Sequence, residues 1–467
     1  MKELKCMNNK LKLPGLAMLC YPFFVVAAPI EVSVGLQTET TTAEEAVEQQ
    51  LPTVLTALQE DATKLEEGSQ AFVNNQQLQQ SLVNIQSATP EEREIALKVI
   101  SPKVNSASTT AVQKTPTNVN LQNIGPRLSV LRAAANTKSF SRFQNNETPN
   151  VKIDLLDLAS TLSGIKKASD AEGGLLDNRL NFFVTSDIIL SEQTETNNTT
   201  GFDSNGQRVL AGIDYRHKRN IFLGITSNYA RNKLDLSAKA GELSTNSYGV
   251  SGYASINISD SFYVQTSINT AKQNFDMKRN INFTTTVNGT ATPTSTTASS
   301  NPGGKSFGIS LSGGYDDFIA NFLNIGLYSS LDYSKSTIDG FVEGGQAGGF
   351  SLTVAEQNIK SLQFSAGGQL SFSWSQSWGI VLPYLRASFI HEFEQDNKEI
   401  SAYFTADPTK SPLNFMTSGQ DSNTASAALG STFIFPRGFM VFAQYSRQFF
   451  VDNYSQQVIT LGVRKEL

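Results

Sequence analysis

The chain has 467 residues, 39% of them hydrophobic and 17% charged, with a formal net charge of −5. Mean hydropathy is −0.22, and past the N-terminus there is no apolar run of about 18 residues, which excludes a bundle of spanning helices. The acidic balance, without clustered Lys and Arg, argues against nucleic acid as a partner.

Residues 1–28 read as a signal peptide. Lys2, Lys5, Lys10 and Lys12 precede the apolar stretch LPGLAMLCYPFFVVAA, which ends in small residues. Leu19 occupies the position before Cys20 where a lipoprotein needs a small residue. Both cysteines, Cys6 and Cys20, lie in this segment. The remainder is then free of disulfides and can supply neither a thiol nucleophile nor a thiolate metal site.

Residues 29–150 read as a short, helix-prone N-terminal region, rich in Gln, Thr, Ala and Asn. Val47, Leu51, Leu55 and Leu58 make a helical stripe, with an interruption or restart expected at Pro52. Phe72, Leu78, Leu82 and Ile85 make a second. TPEEREIALKVI makes a third, with Thr89 as cap, Pro90 in the first turn and Glu92 completing a capping box. Residues 106–120 are polar and read as irregular, and 124–136 read as a further short helix. Residues 151–177 are a candidate pore helix and lead-in, with Ile153, Leu156, Leu162 and Ile165 on one face of VKIDLLDLASTLSGIKKASDA, and the 124–136 helix competes for the same lumen position.

From residue 178 to 467 the apolar period changes to two. The stretch Ile359–Phe393 shows it best: Leu362, Phe364, Ala366, Leu370, Phe372 and Trp374 share one parity, and Gln363, Ser365, Gly367, Gln369, Ser371 and Ser373 the other. Twelve strands are predicted, at about 179–190, 207–217, 220–232, 245–258, 260–276, 304–316, 322–335, 358–375, 378–394, 421–435, 438–449 and 456–466. Short turns alternate with longer polar connections, including 233–244, 277–303, 336–357 and 395–420. Sorting of connections by parity, with an even strand number, predicts a closed antiparallel transmembrane β-barrel. The fold class is thus an all-β C-terminal domain, a 12-stranded antiparallel barrel with a lumen helix, preceded by a mostly α-helical N-terminal region.

Alternation assigns Val209, Ile213, Tyr215, Leu311, Leu331, Ile459, Leu461 and Val463 to lipid, and Trp374, Trp378, Tyr384 and Tyr445 to the interfacial girdles. The candidate lumen lining is Gly212, Asp214, Arg216, Gly308, Ser310, Ser312, Asp332, Ser365, Gly367, Arg386, Glu392 and Arg464. The glycines and serines among them are small enough to leave room for about one helix, ~10 Å across, and the charged residues line that space.

The sequence resembles the translocator domain of bacterial autotransporters over about 170–467. AGIDYRH, SYGVSGYASINISDSFYVQTSINTAKQNFDMKR, IDGFVEGG, GIVLPYLRASFIHEFE and the final FAQYSRQFFVDNYSQQVITLGVRKEL carry the likeness, in that order. EIALKVISPKV and IGPRLSVLR also look like the helical region that precedes the barrel in many members. The resemblance implies insertion into the outer membrane of a Gram-negative bacterium, with outer-membrane lipid, the barrel-assembly machinery and periplasmic chaperones as partners. It also implies export of the N-terminal region to the surface, where host or neighbouring cells become a partner, and a helix left in the lumen. The chain ends Lys-Glu-Leu where members end in Phe or Trp, and the passenger is short.

No catalytic set stands out, and no cofactor or metal is expected. His217 and His391 belong to opposite ends of the barrel, and GISLSGG at Gly308–Gly314 sits in an alternating strand, not in the strand–turn–helix of a serine elbow. The expected function is translocation and display of the chain's own passenger. The alternative is an outer-membrane adhesin, a structural barrel or a porin with no exported passenger.

Overall fold

A computed structural model of the chain describes residues 41–114 and 180–466, apart from 219, 321 and 436–438. The predicted signal peptide, the 124–136 helix and the candidate pore helix at 151–177 lie outside the described residues.

The N-terminal part consists of α1 (Ala43–Ala62), α2 (Gln70–Ser87), α3 (Pro90–Ile100), a 3-10 turn at Pro102–Asn105 and α4 (Ser106–Lys114). Capping boxes start two of these helices, Thr42 with Glu45 in α1 and Thr89 with Glu92 in α3. Ser69 caps α2 through the Phe72 amide. Pro52 does not interrupt α1, which runs through it; burial of Val47, Leu51, Val54 and Leu58 on one face outweighs the lost amide. Residues 106–114, expected to be irregular, are helical. Ser, Thr and Val are modest helix formers on their own, and here burial holds Ser106, Ser108, Thr109 and Thr110.

The barrel strands are β1 (Leu180–Gln193), β2 (Phe202–Lys218), β3 (Ile221–Leu236), β4 (Gly241–Asn257), β5 (Phe262–Val287), β7 (Gly303–Ala320), β8 (Leu323–Ile338), β12 (Gln357–Phe372), β14 (Gly379–Glu392), β18 (Asn423–Phe435), β19 (Phe439–Phe449) and β20 (Tyr454–Glu466). Each pairs antiparallel with its neighbours, and β1 pairs with β20 from Asn181↔Glu466 to Gln193↔Tyr454, so these twelve strands close into a barrel. Closure leaves no barrel strand with an open edge, as a wall in lipid requires. Among the described residues no helix is long and apolar enough to cross a membrane; the crossing elements are strands.

Several strands reach further than expected. β3 and β4 extend to Leu236 and Gly241, which reduces the expected 233–244 connection to residues 237–240. β5 continues to Val287 and folds back as β6 (Thr290–Ser300), so the expected 277–303 loop is a hairpin. Its turn is Asn288-Gly289, with φ of 51° and 77°, the left-handed pair that a two-residue hairpin needs. The 336–357 connection contains β9 (Phe341–Val342), β10 (Gly344–Gly345) and β11 (Leu352–Val354). The short β13 (Trp374–Gln376) follows β12 and pairs with β14, and the 395–420 connection contains β15 (Glu399–Ile400), β16 (Ala402–Phe404) and β17 (Phe415–Met416).

The helices and these connections share one hydrophobic core. Leu51, Leu58, Leu78, Leu82, Ile85 and Ile100 pack with Ile281 and Phe283 of β5 and with Phe350, Leu352, Ile400, Phe404 and Phe415 of the long connections. The head therefore belongs to the end of the barrel that carries the long connections.

Candidate functional site: the barrel interior and its plugged mouth

Inward-facing residues at the long-connection end form an apolar collar. Phe202, Leu234, Leu236, Leu243, Phe275, Met277, Ile338, Ile359 and Tyr454 come from seven strands and pack with Val104 and Ala107. Ala107 is 1% exposed. The chain from the 3-10 turn into α4 thus occupies the mouth against an apolar ring.

Polar contacts fix it there. The Thr200 amide donates to Ser106 Oγ at 3.0 Å, Thr200 Oγ1 donates to the Lys103 carbonyl at 3.0 Å, and Thr109 Oγ1 donates to Gln357 Oε1. Lys103, buried to 5% exposure, places its Nζ 3.3 Å from both Glu44 and Glu195, and Lys98 Nζ lies 2.6 Å from Glu195. Partial burial pushes the Glu195 carboxyl up, but the hydrogen bonds and charges of Lys98 and Lys103 outweigh it and hold it below the usual carboxylate range.

A second polar cluster ties the head to the wall. Arg279 of β5 grips Glu343 with Nε at 3.0 Å and Nη2 at 2.6 Å, and also donates to the carbonyls of Val99 and Phe350. The Leu352 amide donates to Glu343 Oε2. Glu92 at the start of α3 accepts from the amide and hydroxyl of Thr286, which holds its carboxyl below the usual range.

The twelve candidate lining residues lie on the parity of buried residues, in three separate groups. Near the seam, Asp214 accepts from Tyr253 Oη, and Arg464 Nε lies 3.9 Å from Asp214 Oδ2. Gly212 faces the Phe183 ring, and Arg216 follows on the same side of β2. On β7 and β8, Asp332 accepts from Ser310 and Ser330, with Gly308 and Ser312 on the same face of β7. On β12 and β14, Arg386 donates to Gln369 and stacks 5.0 Å over the Tyr328 ring, next to Ser365 and Gly367. Glu392, at the upper edge of that group, accepts from Ser361 Oγ and the amides of Leu362 and Glu394, so it stitches strand ends.

Sequence reasoning missed the pair nearest the seam. Arg208 Nε donates to Asp187 Oδ2 at 2.7 Å, and Thr460 Oγ1 donates to Asp187 Oδ1 at 2.6 Å, so the first strand is bonded by side chains to the last. Their inward parity was available: Asp187 and Arg208 both fall inside predicted strands, and Arg208 shares the parity of Gly212 and Asp214. Tyr384, expected in the outer girdle, instead points inward, 4% exposed, and its hydroxyl donates to Gln444. Trp374, Trp378 and Tyr445 are exposed on the outer wall.

An apolar outer wall, a polar interior and twelve closed strands define a transmembrane β-barrel. The chain belongs to the autotransporter β-domain family, whose profile matches residues 186–446, more than half of the sequence. Barrels of this family are outer-membrane proteins. Similar solved structures include the translocator domain of the autotransporter NalP from Neisseria meningitidis, at 15% identity and a TM-score of 0.49, covering 66% of this chain and 93% of that one. The transport unit of the autotransporter AIDA-I from Escherichia coli matches at 15% identity and a TM-score of 0.45, covering 67% and 97%. The β domain of the Bordetella autotransporter BrkA matches at 13% identity and a TM-score of 0.42, covering 62% and 100%. No curated protein matches the sequence.

Proposed function

We propose that this autotransporter barrel displays its own N-terminal head at the cell surface and keeps it docked there, without enzymatic activity of its own. The reading rests on one observation: α1–α3 bury their apolar faces against the long connections, the end that faces outward in outer-membrane barrels. Export would then finish with the head folding onto loops already outside, and burial of several Leu and Ile side chains, each worth ~1.5–3 kcal/mol, would oppose its return.

The polypeptide also has to change ends. α4 sits at the long-connection mouth, whereas β1 starts at Leu180, in register with Tyr215 beside the short β2–β3 turn. In this reading the chain between them passes through the barrel, with 151–177 as its pore helix. Insertion would rely on the barrel-assembly machinery and periplasmic chaperones that serve such barrels, after export directed by residues 1–28. The displayed head and long connections then form the surface that meets host or neighbouring cells.

Surface protease shaving of intact cells, followed with an antibody against residues 41–100, tests the proposal. Cleavage of the head in intact cells is expected. Protection in intact cells with cleavage only after the outer membrane is opened would favour the second reading, a barrel with no exported passenger.

A further inference from the structure

Above the apolar band, the outer wall from β3 to β12 carries a belt of cations. On four strands the first outward residue past the last apolar or threonine position is a lysine: Lys272 after Thr270 on β5, Lys305 after Phe307 on β7, Lys335 after Tyr333 on β8 and Lys360 after Leu362 on β12. Arg231 follows Tyr229 on β3 in the same way. All five are exposed. Register places Lys272 directly opposite Lys305, and Lys335 directly opposite Lys360. Like charges facing each other across a sheet destabilise it, and none of the five forms an ion pair among the described residues.

The lysines higher on the wall behave differently. Lys233 and Lys278 both reach Glu242, at 3.5 and 2.8 Å. Among the described residues the lower belt has no such partners. A groove of about 860 Å³ runs along this part of the wall, with Tyr229, Tyr248 and Val250 on its apolar side and Lys272 and Lys305 at its end; Asp339 is the carboxylate that lines it. Asp276 lies further up β5, where Asn301 donates to it.

The geometry points to a binding belt for the phosphate head groups of anionic lipids in the leaflet on the long-connection side. Exposed lysines at the edge of the apolar band sit where lipid phosphates lie, and the tyrosine-walled groove below offers a place for an acyl chain. A lipid supplies both parts from one molecule, whereas free phosphate supplies only the anion. The inference rests on the barrel spanning a membrane with β3–β12 as its wall; it does not depend on whether the head is exported.

The test uses the full chain in nanodiscs of phosphatidylcholine containing a minor fraction of phosphatidic acid, reading the lipid retained around the barrel by native mass spectrometry. Wild type should enrich phosphatidic acid. With about 1 kcal/mol per lysine at a charged surface, each Lys→Gln change should weaken retention about fivefold, and Lys272→Gln, Lys305→Gln, Lys335→Gln and Lys360→Gln combined should abolish enrichment. The same four positions changed to Arg should keep it, and Lys233→Gln with Lys278→Gln should leave it unchanged. Circular dichroism confirms that each variant is folded. Equal enrichment in wild type and the quadruple Gln variant overturns the proposal. So does retention of inorganic phosphate as strong as that of the lipid. Protection of the head in the shaving experiment would refute display and leave this result untouched.

Discussion

Arg279 and Glu343 form a bidentate ion pair with both side chains almost fully buried, 1% and 2% exposed. The pair joins a barrel strand to a connecting loop, and the remaining guanidinium hydrogens reach Val99 at the end of α3. Removing one partner leaves an uncompensated buried charge, which costs about 3–5 kcal/mol. Glu343→Gln should therefore loosen the head without opening the barrel. Limited proteolysis of the detergent-solubilised protein should cut residues 41–100 faster, while the barrel retains its sheet signal in circular dichroism. Unchanged cleavage would mean that the apolar core alone holds the head.

The seam offers a second prediction. Asp187 on β1 accepts from Arg208 on β2 and from Thr460 on β20. Asp187→Ala strands Arg208 inside and removes the side-chain bond across the closing strands. The loss should again be about 3–5 kcal/mol, read as a lower thermal midpoint of the barrel. Thr460→Val, which removes one neutral donor, should cost only about 1–3 kcal/mol.

Inward glycines make room for rings, and this predicts paired effects. A Cβ on Gly224 would overlap the Tyr253 ring, and one on Gly462 would overlap Phe442. Gly462→Val should destabilise by about 1–3 kcal/mol through overpacking, and Phe442→Ala in the same chain should recover part of the loss. A double-mutant cycle of thermal midpoints checks it; strictly additive losses would show that the two sites do not meet.

Acid should act on the head first. Glu92 and Glu195 both titrate below the ordinary value of 4.5 in the folded protein, Glu92 chiefly through Thr286 and Glu195 through Lys98 and Lys103 against the upward push of burial. A lowered folded pKa means that the stabilisation is complete above the unfolded value and is lost as pH falls through the folded one. Protease resistance of residues 41–100 should thus be flat from pH 8 to 5 and decline below about pH 4.5. Glu92→Gln should reduce the acid dependence.

The strand pattern was legible because lipid and lumen impose opposite chemistries on alternate residues. Leu362 and Ser365 occupy those two faces in the structure. Tyr384 was misjudged when the preference of tyrosine for interfaces was allowed to override parity; its strand neighbour Arg386 shares its side. The β5–β6 hairpin was hidden by composition, since Thr and Ser strands look like loop, although Asn288-Gly289 marked its turn. α4 left no apolar stripe because its surroundings are partly polar. A segment that fills a lumen matches the lumen, and Ser106, Thr109 and Gln113 do so at the expense of the signal by which helices are normally found. The Arg279–Glu343 pair joins residues far apart in sequence, and no local pattern announces it.

The mouth gives the last prediction. Ala107 packs inside a collar that includes Phe202, Leu234, Leu243, Phe275 and Tyr454. A carboxylate there would be buried without a partner, a cost of several kcal/mol that α4 escapes by leaving the ring. Ala107→Asp should therefore empty the mouth while the twelve strands remain closed. Planar-bilayer recording should show small, rare openings in wild type and larger, more frequent ones in the variant. Ala107→Ser, nearly the same size and able to bond within the helix, should stay close to wild type. Full conductance in wild type would mean that α4 does not obstruct the path. Equal low conductance in Ala107→Asp, in a protein shown by proteolysis to have lost its α4 contacts, would place the main obstruction deeper than the collar.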